Sequence, residues 1–304
     1  MIFPNPLNYG DTVGLVSPSS PTTPERVELC KAFVEQLGFQ VIVGKSCKKS
    51  CHGYLAGTDI ERANDINEMF KNPEVKGIFC IRGGYGSARI MELLDYNMIR
   101  KNPKIFVGYS DITNLNLAFI KLCNFVTFHG PMVSSNMLEH FDEYTRKSFF
   151  AAISMNEEYE FYNPVGEKLH IISHGRAKGR IVGGNLALLI NMIGTFYMPD
   201  LRGTILFIED VHESVPRVNR MLDQLSLLGV FEKVSGILIG DFTECGNDED
   251  ENFQIIDLFS EYFSKLNIPV ISNIKSGHDY PMGTIPLGTF CNIDTVKKKI
   301  QFCK

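Results

Sequence analysis

Ser110, in the run Gly108-Tyr109-Ser110-Asp111, has the setting of an activated nucleophile. An apolar strand-like run at 104–107 leads into it, a helical pattern opens after it, and Gly108 permits close backbone approach. The hydrolase elbow pattern G-x-S-x-G is not met, because Asp111 and Ile112 follow the serine. A serine here is also a good helix N-cap, so the position alone leaves both readings open. A serine nucleophile needs a base within hydrogen-bond reach, and that base needs an orienting acceptor. Of the seven histidines, His278 lies in the Gly-flanked loop Ser276-Gly277-His278-Asp279, just after the apolar run 270–274; His129 and His212 remain rivals. Glu209 and Asp210 end the apolar run 205–208, where a carboxylate costs desolvation unless it has a partner. Ser, Glu and His in chain order is a known triad order.

A second loop bears on the same chemistry. Arg82-Gly83-Gly84-Tyr85-Gly86-Ser87 follows the strand-like run 77–81 and opens a helix, so its backbone N–H groups can cradle a phosphate or an oxyanion. Its G-G-x-G spacing is not the G-x-G-x-x-G of dinucleotide folds, and no cofactor is expected. Arg82 beside the glycines is a plausible clamp for a substrate carboxylate, against a bland role as a surface ion pair or brace.

These loops sit on alternating elements. Runs at 12–16, 39–43, 77–81, 104–107 and 125–128 read as strands, separated by helical patterns at 27–37, 58–70, 87–94 and 111–122. Thr58-Asp59-Ile60-Glu61 has the form of a capping box. Such alternation implies βαβ units and a parallel sheet, whose ligands bind beyond the C-terminal strand ends. The rhythm breaks at 154–178, where Asn156-Glu157-Glu158-Tyr159-Glu160 and Gly166-Glu167-Lys168 are polar and Pro164 interrupts. The expected organisation is an N-terminal α/β domain at 1–153 carrying the nucleophile, a linker at 154–178, and a smaller, mixed, β-rich domain at 179–304 carrying the glutamate and the histidine.

The chain has 304 residues, 44% hydrophobic and 21% charged, which is globular composition and long enough for two domains. Thirty Lys+Arg against 35 Asp+Glu leave a net charge of −5, which argues against general binding to nucleic acid or an anionic membrane. No apolar run approaches a membrane span, and the N-terminus lacks a signal-like pattern, so a cytoplasmic protein is expected. Eight cysteines, several in apolar runs, read as free and reduced. The cluster Cys47-Lys48-Lys49-Ser50-Cys51-His52 has no second ligand pair and reads as a solvated loop, with no metal expected.

Taken in order, Gly10-Asp11-Thr12-Val13-Gly14 with Ser17-Pro18-Ser19, the Arg82 loop, Gly108-Tyr109-Ser110-Asp111, Gly183-Gly184-Asn185-Leu186, Ile208-Glu209-Asp210 and Gly277-His278 resemble the LD-carboxypeptidase family of serine peptidases. The matches run from about residue 8 to residue 288. The resemblance implies a triad of Ser110 as nucleophile, His278 as general base and Glu209 as its orienter. It also implies an oxyanion hole at the backbone N–H of Asp111 and of a glycine in the Arg82 loop, Gly84 in first place and Gly83 in second; a carboxypeptidase must hold a substrate carboxylate too, and Arg82 and Gly83 are the expected substrate contacts. It further implies a cytoplasmic homodimer that releases terminal D-alanine from muropeptide tetrapeptides in cell-wall recycling. A self-immunity peptidase of the same superfamily, cleaving an aminoacyl-nucleotide, and a non-catalytic muropeptide-binding protein are the alternatives.

Overall fold

A computed structural model describes residues 1–155, 157–247, 250 and 252–304. The strands among them are β1 (Thr12–Val16), β2 (Gln40–Val43), β3 (Val75–Cys80), β4 (Ile105–Val107), β5 (Thr127–His129), β6 (Glu158–Phe161), β7 (His170–Ser173), β8 (Arg176–Asn185), β9 (Ile205–Val211), β10 (Gly236–Thr243), β11 (Val270–Ser272), β12 (Ile285–Leu287), β13 (Phe290–Asp294) and β14 (Lys299–Cys303). They form two mixed sheets.

The first sheet has the order β12-β5-β4-β3-β1-β2. β1 to β5 are parallel in it, and β12 runs antiparallel to β5. Its central strands read as continuous apolar runs because helices cover both faces. One of these, Asp59–Lys71, starts on the expected capping box: Thr58 Oγ1 accepts from Glu61 N at 3.3 Å, and Glu61 Oε2 accepts from Thr58 N at 2.9 Å. The second sheet has the order β6-β14-β13-β8-β9-β10-β11-β7. β8 to β11 form its parallel centre, with antiparallel strands at both sides. The two-domain α/β organisation, with a parallel-stranded first sheet and a mixed second one, is as expected from the sequence.

The segment 154–178 departs from a plain linker. It carries β6 and β7, which edge the second sheet, and β8 begins within it; Asn156 lies outside the described residues. Glu158-Tyr159-Glu160-Phe161 alternates polar and apolar, and Tyr159 and Phe161 are buried, which is the period of a half-buried strand. β12 departs as well, since it leaves the C-terminal half to pair with β5 of the first sheet. Cys47, expected in a solvated loop, is fully buried, and burial pushes its thiol up to about 12. Among the described residues no helix is long and apolar enough to cross a membrane.

The two sheets share a core. One buried cluster joins Ile112 and Leu115, which follow Ser110, to Val182 on β8, Leu186 just after it and Ile208 on β9. Close approach is built in by Gly184, whose φ of 142° and contact with the Thr113 side chain leave no space for a Cβ. Packing at interior density fixes the relative placement of the two halves, so loops carried by one sheet meet loops carried by the other at constant geometry.

Candidate active site

Beyond the C-terminal ends of β1, β3 and β4 lie the loops with Ser19, with Gly83 and Gly84, and with Ser110. A single buried carboxylate ties the three together. Asp111 Oδ2 accepts from Ser19 Oγ at 2.6 Å and from Ser87 N at 2.8 Å, while Ser87 Oγ donates to the Asp111 carbonyl at 2.6 Å. Burial pushes the Asp111 carboxyl above its usual range against these bonds.

Ser110 has φ of 61°, left-handed backbone that a non-glycine residue adopts at a cost. It opens the short helical turn Ser110–Ile112, whose cap position is Tyr109, with no side-chain cap bond. The hydroxyl therefore caps no helix, and among the described residues it makes no hydrogen bond. A strained residue at a strand end, with a polar atom that serves no structural purpose, points to function.

The second half brings the partners. His278 Nδ1 lies 2.7 Å from Glu209 Oε2, with Glu209 fully buried at the end of β9. Burial alone would lower the His278 pKa; the charge and hydrogen bond of Glu209, with Asp210 and Asp241 behind it, outweigh that and raise it. With Nδ1 bonded to the carboxylate, Nε2 is the nitrogen left for a substrate-side proton. The other two histidines are placed differently. His212 is exposed and pairs with Glu244 at 2.9 Å, whereas His129 is buried on β5 with no partner on either ring nitrogen among the described residues.

A ring contact joins the serine side to the histidine side. Tyr109, the residue before Ser110, packs edge-on against His278 with centroids 4.7 Å apart, and its hydroxyl accepts from Asn136 Nδ2 at 3.1 Å. A second link runs from Thr113, three residues after Ser110. Its Oγ1 accepts from Asn185 N at 3.1 Å, and Asn185 Nδ2 donates to Asp210 Oδ1 at 2.8 Å, beside Glu209. Burial, then the Glu209 charge, push Asp210 up to about 6.

The Gly loop closes the site. A Cβ on Gly83 would stand 3.0 Å from Ser110 Cβ and 3.2 Å from Ser110 Oγ, whereas one on Gly84 would strike Ser20. Among the described residues the N–H groups of Gly83 and Gly84 donate to nothing in the protein, while Tyr85 N is taken by Ser20 Oγ at 3.1 Å. Arg82 is exposed, reaches only the Pro21 carbonyl at 3.3 Å, and has no carboxylate partner among the described residues. The sequence reading gave no role to Lys275, Asp241 or Asn136. Lys275 Nζ bonds Asp241 Oδ1 at 3.1 Å just behind the His278 loop. Burial pushes Asp241 up to about 6, with Lys275 acting against it. No local motif marks these residues; only an apolar strand continuing into Asp241, as β9 continues into Glu209, carries a signal.

The geometry described so far, a hydrogen-bonded His–Glu pair from one half whose imidazole packs on Tyr109, next to a strained serine from the other, is a hydrolase arrangement on a two-sheet α/β fold. Comparison with known proteins narrows it. The profile of the LD-carboxypeptidase N-terminal domain matches residues 13–130, and that of the C-terminal domain matches residues 178–293. The chain is 40% identical over 298 residues to the probable murein peptide carboxypeptidase of Bacillus subtilis, covering 97% of this chain and 92% of that one. It is 31% identical to the microcin C7 self-immunity protein MccF of Escherichia coli, covering 97% of this chain and 94% of that protein. The structure of MccF with glutamyl sulfamoyl guanosine superposes with a TM-score of 0.92, covering 99% of this chain and 98% of that one. Muramoyltetrapeptide carboxypeptidase from Oxalobacter formigenes, 30% identical, gives 0.84, covering 96% and 97%. The chain belongs to the LD-carboxypeptidase family of peptidases.

Proposed function

We propose that this protein is a serine LD-carboxypeptidase that hydrolyses the bond to the terminal D-alanine of muropeptide tetrapeptides, with Ser110, His278 and Glu209 as its catalytic triad. The observation that carries the reading is the 2.7 Å bond between His278 Nδ1 and the buried Glu209, set against a strained serine with an uncommitted hydroxyl. Names of relatives, murein peptide carboxypeptidase and muramoyltetrapeptide carboxypeptidase, support the substrate class. Functionally the division follows the chain, with residues 1–153 supplying the nucleophile and 179–304 the acid–base pair, in a cytoplasmic enzyme of cell-wall recycling that works as a homodimer.

The chemistry then runs through this chain's own groups. Glu209 fixes the His278 tautomer with its proton on Nδ1, so Nε2 takes the Ser110 proton as Oγ attacks the carbonyl. The tetrahedral oxyanion is held by the backbone N–H of Asp111, at a helix start where such groups are unpaired, and of a glycine in the 82–86 loop. His278 next protonates the departing D-alanine amine, and water resolves the acyl-enzyme under the same base. Arg82, exposed and without a carboxylate partner among the described residues, receives the substrate's terminal carboxylate.

Gly83 and Gly84 make this testable. Gly83→Ala is expected to keep the fold and lower kcat by about 100-fold, because its Cβ crowds Ser110 and displaces a neighbouring N–H by a fraction of an ångström. Steady-state kinetics beside a melting curve decide this: unchanged kcat removes Gly83 from the site.

Mass spectrometry of a muropeptide tetrapeptide incubated with the protein tests the activity itself. Release of one D-alanine, absent from the Ser110→Ala sample, supports the reading. The second reading, a peptidase acting on an aminoacyl-nucleotide, is favoured by the superposition on MccF. It takes over if the tetrapeptide is untouched and an aminoacyl sulfamoyl nucleotide is cut. Binding of muropeptide with turnover of neither substrate leaves the non-catalytic alternative.

A further inference from the structure

His129 is a fully buried imidazole in the centre of the site to which the proposed mechanism gives no task. Its ring stands edge-on to Tyr109 at 5.4 Å and to Phe207 at 5.0 Å. Tyr109 in turn contacts His278 at 4.7 Å, and His278 is bonded to Glu209. Phe207 and Glu209 are two residues apart on β9 and share a face. Both bear on the same spot, for a Cβ on Gly240 would meet Phe207 Cε2 at 3.1 Å and Glu209 Cβ at 3.0 Å. His129, Tyr109, His278 and Glu209 thus form one continuous cluster across the two sheets, with Phe207 packed on His129 and neighbouring Glu209 on β9.

Within that cluster the hydrogen bonding is incomplete in a matched way. Glu209 Oε2 is engaged by His278, but Glu209 Oε1 is buried with no partner among the described residues, and so are both His129 nitrogens. A phenylalanine would fill the same ring-lined space without burying two polar atoms. Buried polar groups are satisfied in folded proteins, directly or by ordered water. We propose that His129 is a positioning residue for the triad, its N–H holding Glu209 Oε1 through one bound water so that the carboxylate meets His278 at a fixed angle. Burial, reinforced by the His278 charge and opposed by that of Glu209, keeps His129 down to about 4, so near neutral pH it is an uncharged donor. A neutral donor steadies the carboxylate without competing with His278 for its charge.

This inference rests on the triad reading, and the experiment separates the two. His129→Phe keeps the ring and removes the donor; His129→Gln keeps a donor and removes the ring. The phenylalanine variant is expected to melt at or above the parent temperature, with kcat down between about 10- and 100-fold and KM within about twofold. The glutamine variant should be less stable yet retain most of kcat. In the Glu209→Gln background, adding His129→Phe should cost nothing more, because the two act through one contact. Full kcat in His129→Phe overturns the proposal, as does an equal loss in both variants, which would make the ring's shape the cause. Those results leave the triad untouched. The triad reading fails separately, if Ser110→Ala still turns over.

Discussion

Ser110→Ala is expected to lose at least about 10⁴-fold in kcat while melting within about 2 °C of the parent protein. Two observations make the split sharp. The hydroxyl neither caps the following helical turn nor bonds any other described residue, so its removal leaves no orphan and no cavity of consequence. The backbone at Ser110 is left-handed, with φ of 61°, and alanine bears that conformation no better and no worse than serine. Glycine bears it better, so Ser110→Gly should be inactive and more stable by about 1 kcal/mol. A protein that gains stability when it loses its nucleophile carries strain for the sake of the reaction. Calorimetry with tetrapeptide hydrolysis on the three proteins settles it. Residual turnover in Ser110→Ala removes the serine from the chemistry, and unfolding of that variant restores the helix-cap reading.

Much of the first sheet was legible because its signals are local. Thr58 and Glu61 sit at the spacing their mutual hydrogen bonds need, and the runs ending at Cys80 and Val107 are largely apolar and lead into the glycine-bearing loops at 82–86 and 108–111. The elbow at Ser110 and the carboxylate at the end of β9 were visible for the same reason: each is a polar residue placed where an apolar strand stops. The strand Glu158–Phe161 had an equally clear alternating pattern, but polar neighbours and Pro164 drew the reading toward a linker. β12 had no such signal. Its three residues become a strand only because β5 offers an open edge, which is a tertiary fact.

The site shows the same division between local and distant information. A sequence can nominate His278, His129 and His212 as bases but cannot rank them, since ranking depends on which ring reaches a carboxylate across 69 residues of chain. Asp111 looked like a helix-start residue with a backbone N–H to offer; its side chain proves to hold the loops of β1 and β3 beside Ser110. Tyr109 stood in a motif without a role, and becomes the contact by which the serine's strand meets the histidine's loop.

Glu209→Gln carries the second large effect, and its sign in pH follows from the charges around His278. Glutamine keeps the shape of the side chain, but turning its NH₂ toward Nδ1 makes that nitrogen an acceptor and puts the imidazole proton on Nε2, where a base needs a lone pair. A fall in kcat of about 10³- to 10⁴-fold is expected. The residual activity should also titrate differently. In the parent protein burial pulls His278 down, and Glu209, then Asp210 and Asp241, pull it above its ordinary value. The acid limb of kcat/KM, which reports the free-enzyme base, is therefore displaced upward from where an unperturbed histidine would put it. Removing the Glu209 charge takes away the largest upward contribution and leaves burial in force, so the limb must move to lower pH. Asp210 and Asp241 cannot hold it in place, because each contributes less to His278 than the Glu209 charge that is lost. A limb that stays fixed, or climbs, would mean that another group is the base, and undiminished kcat would remove Glu209 from the triad.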